Sequence, residues 1–307
     1  MVFSKKKWHE GARWQAFLAL YDEAVAELYD DTRLVPTKFG DTQVNISGDT
    51  SKKPIVMLHG ISSCSVMWEW LLEDLPKDYC CVAIDTIGDL GRSCPRDGDP
   101  DNGMVSENEA AEWIMEVVDS LPISQPVIML GYSFGAYLST CFVRKYPTRV
   151  DRQVLMAPAC VVAPISKWWL FRAILFGVLS SCTPRGGRVE EALGRWFFGT
   201  MGCDYDNFKS KMRHPELFEA SQRLGAAQTK MQPLELDANA LARMNGLCPT
   251  LLMIGKEESV IDPKVAVANA KRAEMHVVEY AGAGHIFYCE NPRQQSVDDV
   301  RAFLSML

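Results

Sequence analysis

Short runs of consecutive apolar residues, each followed by a helical stretch, set the tightest limit on what this 307-residue chain can fold into. Pro54–Leu58, Cys80–Ile84, Val127–Leu130, Gln153–Met156, Thr250–Ile254 and His276–Tyr280 are mostly apolar at successive positions. A strand with one face in water alternates polar and apolar residues, so these runs predict strands covered on both faces. The stretches between them carry helix signals. Residues 13–29 place Trp14, Phe17, Leu18, Tyr21, Val25 and Leu28 three or four apart, the pattern of an amphipathic helix. Ser106-Glu107-Asn108-Glu109 is a capping box ahead of Ala110, Trp113, Ile114, Val117, Val118 and Leu121 on one face. Asn291-Pro292 opens a last helix whose buried side is Val297, Val300, Leu304 and Leu307. Lys38 to Ile46, with Gly40-Asp41 at its turn, predicts a hairpin. Alternating strands and helices imply an α/β fold, a mostly parallel sheet with helices on both faces.

One segment breaks this rhythm. Residues 159–248 contain no clear strand, several helical segments and many aromatics, among them Trp168, Trp169, Phe171, Phe176, Trp196, Phe197 and Phe198. The expected organisation is a core of residues 1–158 and 249–307 with residues 159–248 inserted as a helical cap. Trp168 to Leu179 is interrupted by Arg172 and falls short of the ~20 residues of a membrane span, so it predicts no stable membrane insertion.

A net charge of −7 with scattered charges argues against nucleic acid as a partner, since phosphate binding wants clustered Lys and Arg. Lys5-Lys6-Lys7 reads as a solvated tail, and neither it nor the short run Phe17–Leu20 reads as a signal peptide. Ten cysteines are dispersed without a CxxC pair, and Cys80, Cys81 and Cys141 fall in apolar strands or helices. Buried thiols in a reducing compartment account for this, which makes the cytosol the expected location. The histidines do not cluster and no GxGxxG is present, so no metal or organic cofactor is expected.

Gly131-Tyr132-Ser133-Phe134-Gly135 follows the run Val127–Leu130 and leads at once into the helical stretch Ala136–Tyr146. A serine on a sharp strand-to-helix turn is strained with its hydroxyl presented, and a side chain at either glycine would collide with its neighbours. The helix start adds free N–H groups and a positive dipole end. Leu58-His59-Gly60-Ile61 follows another strand, and the N–H groups of Phe134 and Ile61 are the two expected donors to a developing oxyanion. His59, beside a turn glycine, is expected to order its loop.

Gly282-Ala283-Gly284-His285 puts a histidine on a glycine-rich loop beyond the final strand, where an imidazole can serve the serine as a base. His9, His214 and His276 lack such a setting. A carboxylate must orient that imidazole. In Gly255-Lys256-Glu257-Glu258-Ser259-Val260-Ile261-Asp262-Pro263 three acids compete for the role. Asp262 before Pro263 also suits a helix cap, and Glu257 suits a solvent-facing position.

The order serine, acid, histidine on these loops resembles the α/β-hydrolase superfamily over nearly the whole chain. Asp85-Thr86-Ile87-Gly88-Asp89-Leu90-Gly91-Arg92-Ser93 is similar to its D-x-x-G-x-G-x-S loop with one extra residue, a structural loop that shapes the pocket. The resemblance implies the acid at Glu258, where an Asp is more usual. It also implies a carboxylesterase-like serine hydrolase with a helical cap, acting on a small-molecule substrate through an acyl-enzyme. Carbon–carbon bond hydrolysis, lyase or peroxide-using acyl-transfer chemistry, and a low-turnover receptor on the same fold are the alternatives. Aromatic cap residues favour a hydrophobic substrate group, while Trp168-Trp169 reads first as packing. Oligomeric state is not legible.

Overall fold

The computed structural model describes residues 10–99, 102–182, 188–224, 230–286 and 293–306. The chain divides into two compact units, Met1–Gln153 with Glu216–Gln232, and Val154–Pro215 with Pro233–Leu307. Its strands are β1 (Asp31–Thr37), β2 (Gly40–Ser47), β3 (Pro54–Leu58), β4 (Cys80–Ile84), β5 (Cys94–Pro95), β6 (Val127–Tyr132), β7 (Val150–Met156), β8 (Thr250–Gly255) and β9 (His276–Tyr280).

In the first unit the strand order is β1-β2-β4-β3-β6. β3 lies between β4 and β6 and is parallel to both, while β1, β2 and the short β5 make the antiparallel pairings. Every residue of β3, β4 and β6 is buried, as their unbroken apolar runs require. Cys80, Cys81 and Cys141 are buried free thiols, and burial raises the pKa of each. The helix Ala12–Leu28 buries Phe17, Leu18, Tyr21, Val25 and Leu28, the apolar face its periodicity marks. The helix Glu107–Ser120 opens on the expected capping box. Ser106 Oγ accepts the Glu109 N–H, and a Glu109 carboxylate oxygen accepts the Ser106 N–H.

Two expectations shift. The hairpin turn lies at Lys38-Phe39, not Gly40-Asp41, with Thr37 opposite Gly40. Gly40 has φ +133° inside β2, and a Cβ there would sit 2.1 Å from the Cys94 carbonyl oxygen, so the glycine serves strand pairing. β9 is not covered on both faces, because it ends the strand order and leaves His276 and Glu279 exposed.

In the second unit β8 and β9 are parallel, with Leu251 opposite His276 and Gly255 opposite Tyr280. Ala157, just past β7, donates its N–H to the Met253 carbonyl at 2.8 Å. Residues 159–248 carry the helices Lys167–Cys182, Arg188–Gly199, Tyr205–Ser210 and Ala238–Leu247 in this unit and Pro215–Leu224, from Glu216 on, in the first, with no strand among the described residues. The last helix, Arg293–Leu304, buries Val297, Val300, Phe303 and Leu304. Asn291, Pro292 and Leu307 lie outside the described residues.

A Cβ on Gly135 would come within 1.9 Å of the Leu58 carbonyl oxygen, whereas one on Gly177 would meet nothing within 4 Å. Gly135→Ala is therefore expected to lose about 3 kcal/mol or more of stability by overpacking against backbone. Gly177→Ala, inside a helix, is expected to gain about 0.5–1 kcal/mol. Urea denaturation of the two variants checks both signs.

Candidate active site

Strand register brings three chain exits to one edge of the first unit. Leu58 is paired with Ile84 on one side and with Gly131 on the other, so the segments after β3, β4 and β6 leave the sheet side by side. Loops beyond the carboxyl ends of parallel strands are where open α/β sheets build their sites.

Ser133 stands between β6 and the helix Phe134–Lys145 with φ +51° and ψ −112°. A non-glycine residue held there is strained, at a cost on the order of 1–3 kcal/mol. Its neighbours make this turn possible. A Cβ on Gly131 would reach 2.4 Å from the Gly135 carbonyl oxygen, and one on Gly135 would strike the backbone of Leu58 and His59. Gly60 packs on the other side, where a Cβ would lie 3.0 Å from the Tyr132 ring and 3.5 Å from Ser133 Cβ. Phe134 is the first residue of its helix, so its N–H has no place in the intrahelical ladder. Ile61 lies on the exposed rim of the β3 loop.

Three buried groups hold that loop and its neighbour. His59 is fully buried; its Nδ1–H donates to the Gly60 carbonyl at 2.8 Å and its Nε2 accepts the Thr86 N–H at 2.9 Å. Both ring nitrogens are thus occupied in ordering backbone, and burial lowers the pKa of the ring. Asp85, also fully buried, accepts the Tyr21 hydroxyl at 2.6 Å, the Ser65 N–H at 2.8 Å and the Arg92 N–H at 2.9 Å. Gly91, at φ +102°, has no room for a side chain because its Cβ would lie 2.1 Å from Asp85 Oδ2. Asp89 accepts the Ser62 N–H at 3.0 Å and its own neighbour's N–H, Leu90, at 2.8 Å. Burial raises its pKa well above the usual carboxylate range. It anchors the residue next to Ile61, which itself sits at φ +58°. Sequence reasoning gave Asp89 no role. The signal for it was the lengthened loop, whose additional member brings a second acid.

The second unit carries the acid and histidine loops. Gly255 ends β8 against the other loop, where a Cβ would lie 2.1 Å from the Ala283 carbonyl oxygen. The Glu257 N–H donates to that carbonyl at 3.0 Å, and the Glu257 carboxylate accepts the Ala283 N–H at 2.9 Å. Glu257 is exposed yet spends its charge stitching the two loops. Glu258 turns inward and is buried. Its Oε1 accepts the N–H groups of Ser259 and Val260, both at 2.7 Å, and its Oε2 lies 2.7 Å from His285 Nδ1. His285 is buried as well, and its backbone N–H donates to the Met201 carbonyl at 2.8 Å. Asp262 is a helix cap, its Oδ1 accepting from Lys264 and Val265 at 2.9 and 3.2 Å. Of the three competing acids, Glu258 is the one bound to the histidine.

The other histidines are elsewhere. His214 is half-buried ahead of the helix Pro215–Leu224, and His276 packs its ring on Phe303 at 5.4 Å. His9 lies outside the described residues.

Residues 53–292 match the family model of the alpha/beta hydrolase fold. The chain is an α/β-hydrolase. The hydrolase is 26% identical over 262 residues to the uncharacterized carboxylesterase nap of Bacillus subtilis, covering 84% of this chain and 81% of that one. It is 26% identical over 289 residues to carboxylesterase YbfK of the same organism, covering 90% and 89%. The crystal structure of naproxen esterase from Bacillus subtilis superposes with a TM-score of 0.79 at 22% identity, covering 96% of this chain and 99% of that one. No helix among the described residues is long and apolar enough to cross a membrane.

Because burial holds folded His59 neutral, the unfolded chain binds the additional proton once the pH drops below the ordinary value of 6.5. Stability present above that pH is lost on acidification. In His59→Gln this component is absent, so the gap in urea midpoint between the two proteins is expected to narrow from roughly pH 7 to pH 5. A gap that widens over that range contradicts the assignment.

Proposed function

We propose that this hydrolase cleaves a carboxylic ester of a small, hydrophobic substrate through an acyl-enzyme on Ser133. The observation that carries the reading is the buried Glu258–His285 pair at 2.7 Å. With the Nδ1 proton directed to Glu258, the imidazole lone pair resides on Nε2, the nitrogen a serine hydrolase uses as its base. The strained turn at Ser133 and the carboxylesterase relatives support the same assignment.

The reaction then runs in two stages. Ser133 Oγ attacks the ester carbonyl carbon as its proton passes to His285 Nε2. The carbonyl oxygen becomes negative and accepts hydrogen bonds from the N–H groups of Phe134 and Ile61. One such donor contributes on the order of a hundredfold to a thousandfold in rate. The C–O bond breaks, and the alcohol departs with the proton held by His285. Water, deprotonated by His285, attacks the acyl-serine ester, and the proton returns to Ser133 Oγ as the acid leaves. Glu258 stabilises the imidazolium in both stages and keeps its own charge. The reading makes the substrate a free small molecule; it involves no nucleic acid.

A fluorophosphonate probe is expected to label the wild type at Ser133 and to leave Ser133→Ala unlabelled and inactive on p-nitrophenyl esters. Labelling at another residue, or ester turnover by the variant, removes the nucleophile assignment. Turnover of ketones in place of esters on a shared panel would move the chemistry to carbon–carbon cleavage.

Glu258→Gln is expected to lower kcat by about a thousandfold or more, because the amide favours the wrong tautomer of His285. Asp262→Asn retains a capping oxygen and is expected to cost less than about threefold. Steady-state kinetics in the reverse order would transfer the acid to Asp262.

A further inference from the structure

We propose that the helix Lys167–Cys182 is a docking surface for an anionic lipid bilayer, lying in the plane of the headgroups. Not one residue of this helix whose exposure is defined is buried, although most are apolar. Its two sides differ. Trp169 and Phe176 turn toward the helix Arg188–Gly199, where both rings contact Phe197, the second stacked at 4.2 Å. The opposite side carries Trp168, Phe171, Ile174 and Val178 at 60%, 54%, 59% and 55% exposure. With Lys167 and Leu170 they fall within an arc of roughly 160° at 100° per residue. Trp168 was expected to pack like Trp169, but the helical turn sends it outward. A continuous apolar strip of this kind marks a docking site on a folded protein.

Charge identifies the occupant. The chain as a whole carries −7, yet residues 152–189 contain no Asp or Glu and include Arg152, Lys167, Arg172, Arg185 and Arg188. The helix itself therefore carries two cations, Lys167 and Arg172, and no acid, in a chain that is otherwise acidic. Lys167 lies on the strip itself, and the Arg172 guanidinium sits 4.9 Å from the Trp168 ring, which stacks on Phe171. Tryptophan beside basic residues on an apolar face is the composition of a helix resting at a bilayer surface, where anionic headgroups attract each cation. At 16 residues the helix is about 24 Å long, short of the ~30 Å hydrocarbon core, so it lies on the membrane and does not span it. A second copy fits less well, since a symmetric contact would set two basic strips against each other. The proposal uses none of the residues assigned to ester cleavage.

Flotation with vesicles of phosphatidylcholine containing phosphatidylglycerol, compared with phosphatidylcholine alone, tests it. The wild type is expected to float with the anionic vesicles at least about tenfold more than with the neutral ones, and to detach as salt is raised. Phe171→Ser with Ile174→Ser should lower binding to anionic vesicles by about tenfold or more, as should Lys167→Glu with Arg172→Glu. Fluorophosphonate labelling of both double variants at the wild-type rate shows that they are folded, and Ser133→Ala should float like the wild type. Absence of flotation, or equal flotation with neutral vesicles, overturns the proposal. So does a concentration-dependent dimer in sedimentation that is lost in the Phe171/Ile174 variant, which would give the strip to a second copy. None of these results bears on the Ser133 assignment, and loss of probe labelling by the wild type would not bear on docking.

Discussion

At one point in the first unit a helix meets a strand with no side chain between them. Gly135 rests on the Leu58 carbonyl, and Gly131 rests on Gly135 and Ala136. That contact is why the chain can end a strand at Tyr132 and start a helix at Phe134 with one residue in between. Ser133 absorbs the whole change of direction in an unfavourable backbone conformation. The strain persists because β3 and β6, both wholly buried, hold the two sides of the turn in fixed register. A looser approach would let the serine backbone relax.

Within each unit, buried carboxylates do separate work. Asp85 gathers Tyr21 of the first helix, Ser65 and Arg92, so three distant stretches of chain meet on one carboxyl group. Removing this acceptor would strand buried donors, at about 1–3 kcal/mol each. Asp89, four residues further along the same loop, fixes the Ser62 N–H beside Ile61. Glu258 is saturated by two backbone N–H groups and one imidazole, which leaves the ring of His285 little freedom to rotate.

Legibility in the sequence followed burial. Strands covered on both faces announced themselves as apolar runs, and the helix Glu107–Ser120 announced its start through Ser106 and Glu109. The sharp turn at Ser133 was legible because its two glycines have a steric reason that few other arrangements share. The edge strand β9 and the hairpin turn were misread, since a glycine looks the same whether it turns the chain or clears space for Cys94 in a neighbouring strand. Residue types alone could not choose among Glu257, Glu258 and Asp262, because all three are acids satisfied by nearby backbone N–H groups or by the histidine. Only position relative to the end of β8 separated them. Asp89 was invisible for a related reason: its value lies in a contact across 27 residues. The outward turn of Trp168 was equally hidden, as a helix hydrophobic all round does not say which side is left open.

The bond from His285 N–H to the Met201 carbonyl has a bearing on engineering. Met201 follows the helix Arg188–Gly199, and Gly284 leaves no space there for even a methyl group. Exchanging the segment around Met201 for one from a relative would therefore disturb the backbone from which the imidazole hangs. Any replacement of the residues around Met201 must keep the Met201–Gly202 pair unchanged, or the loop that carries the His285 ring will shift.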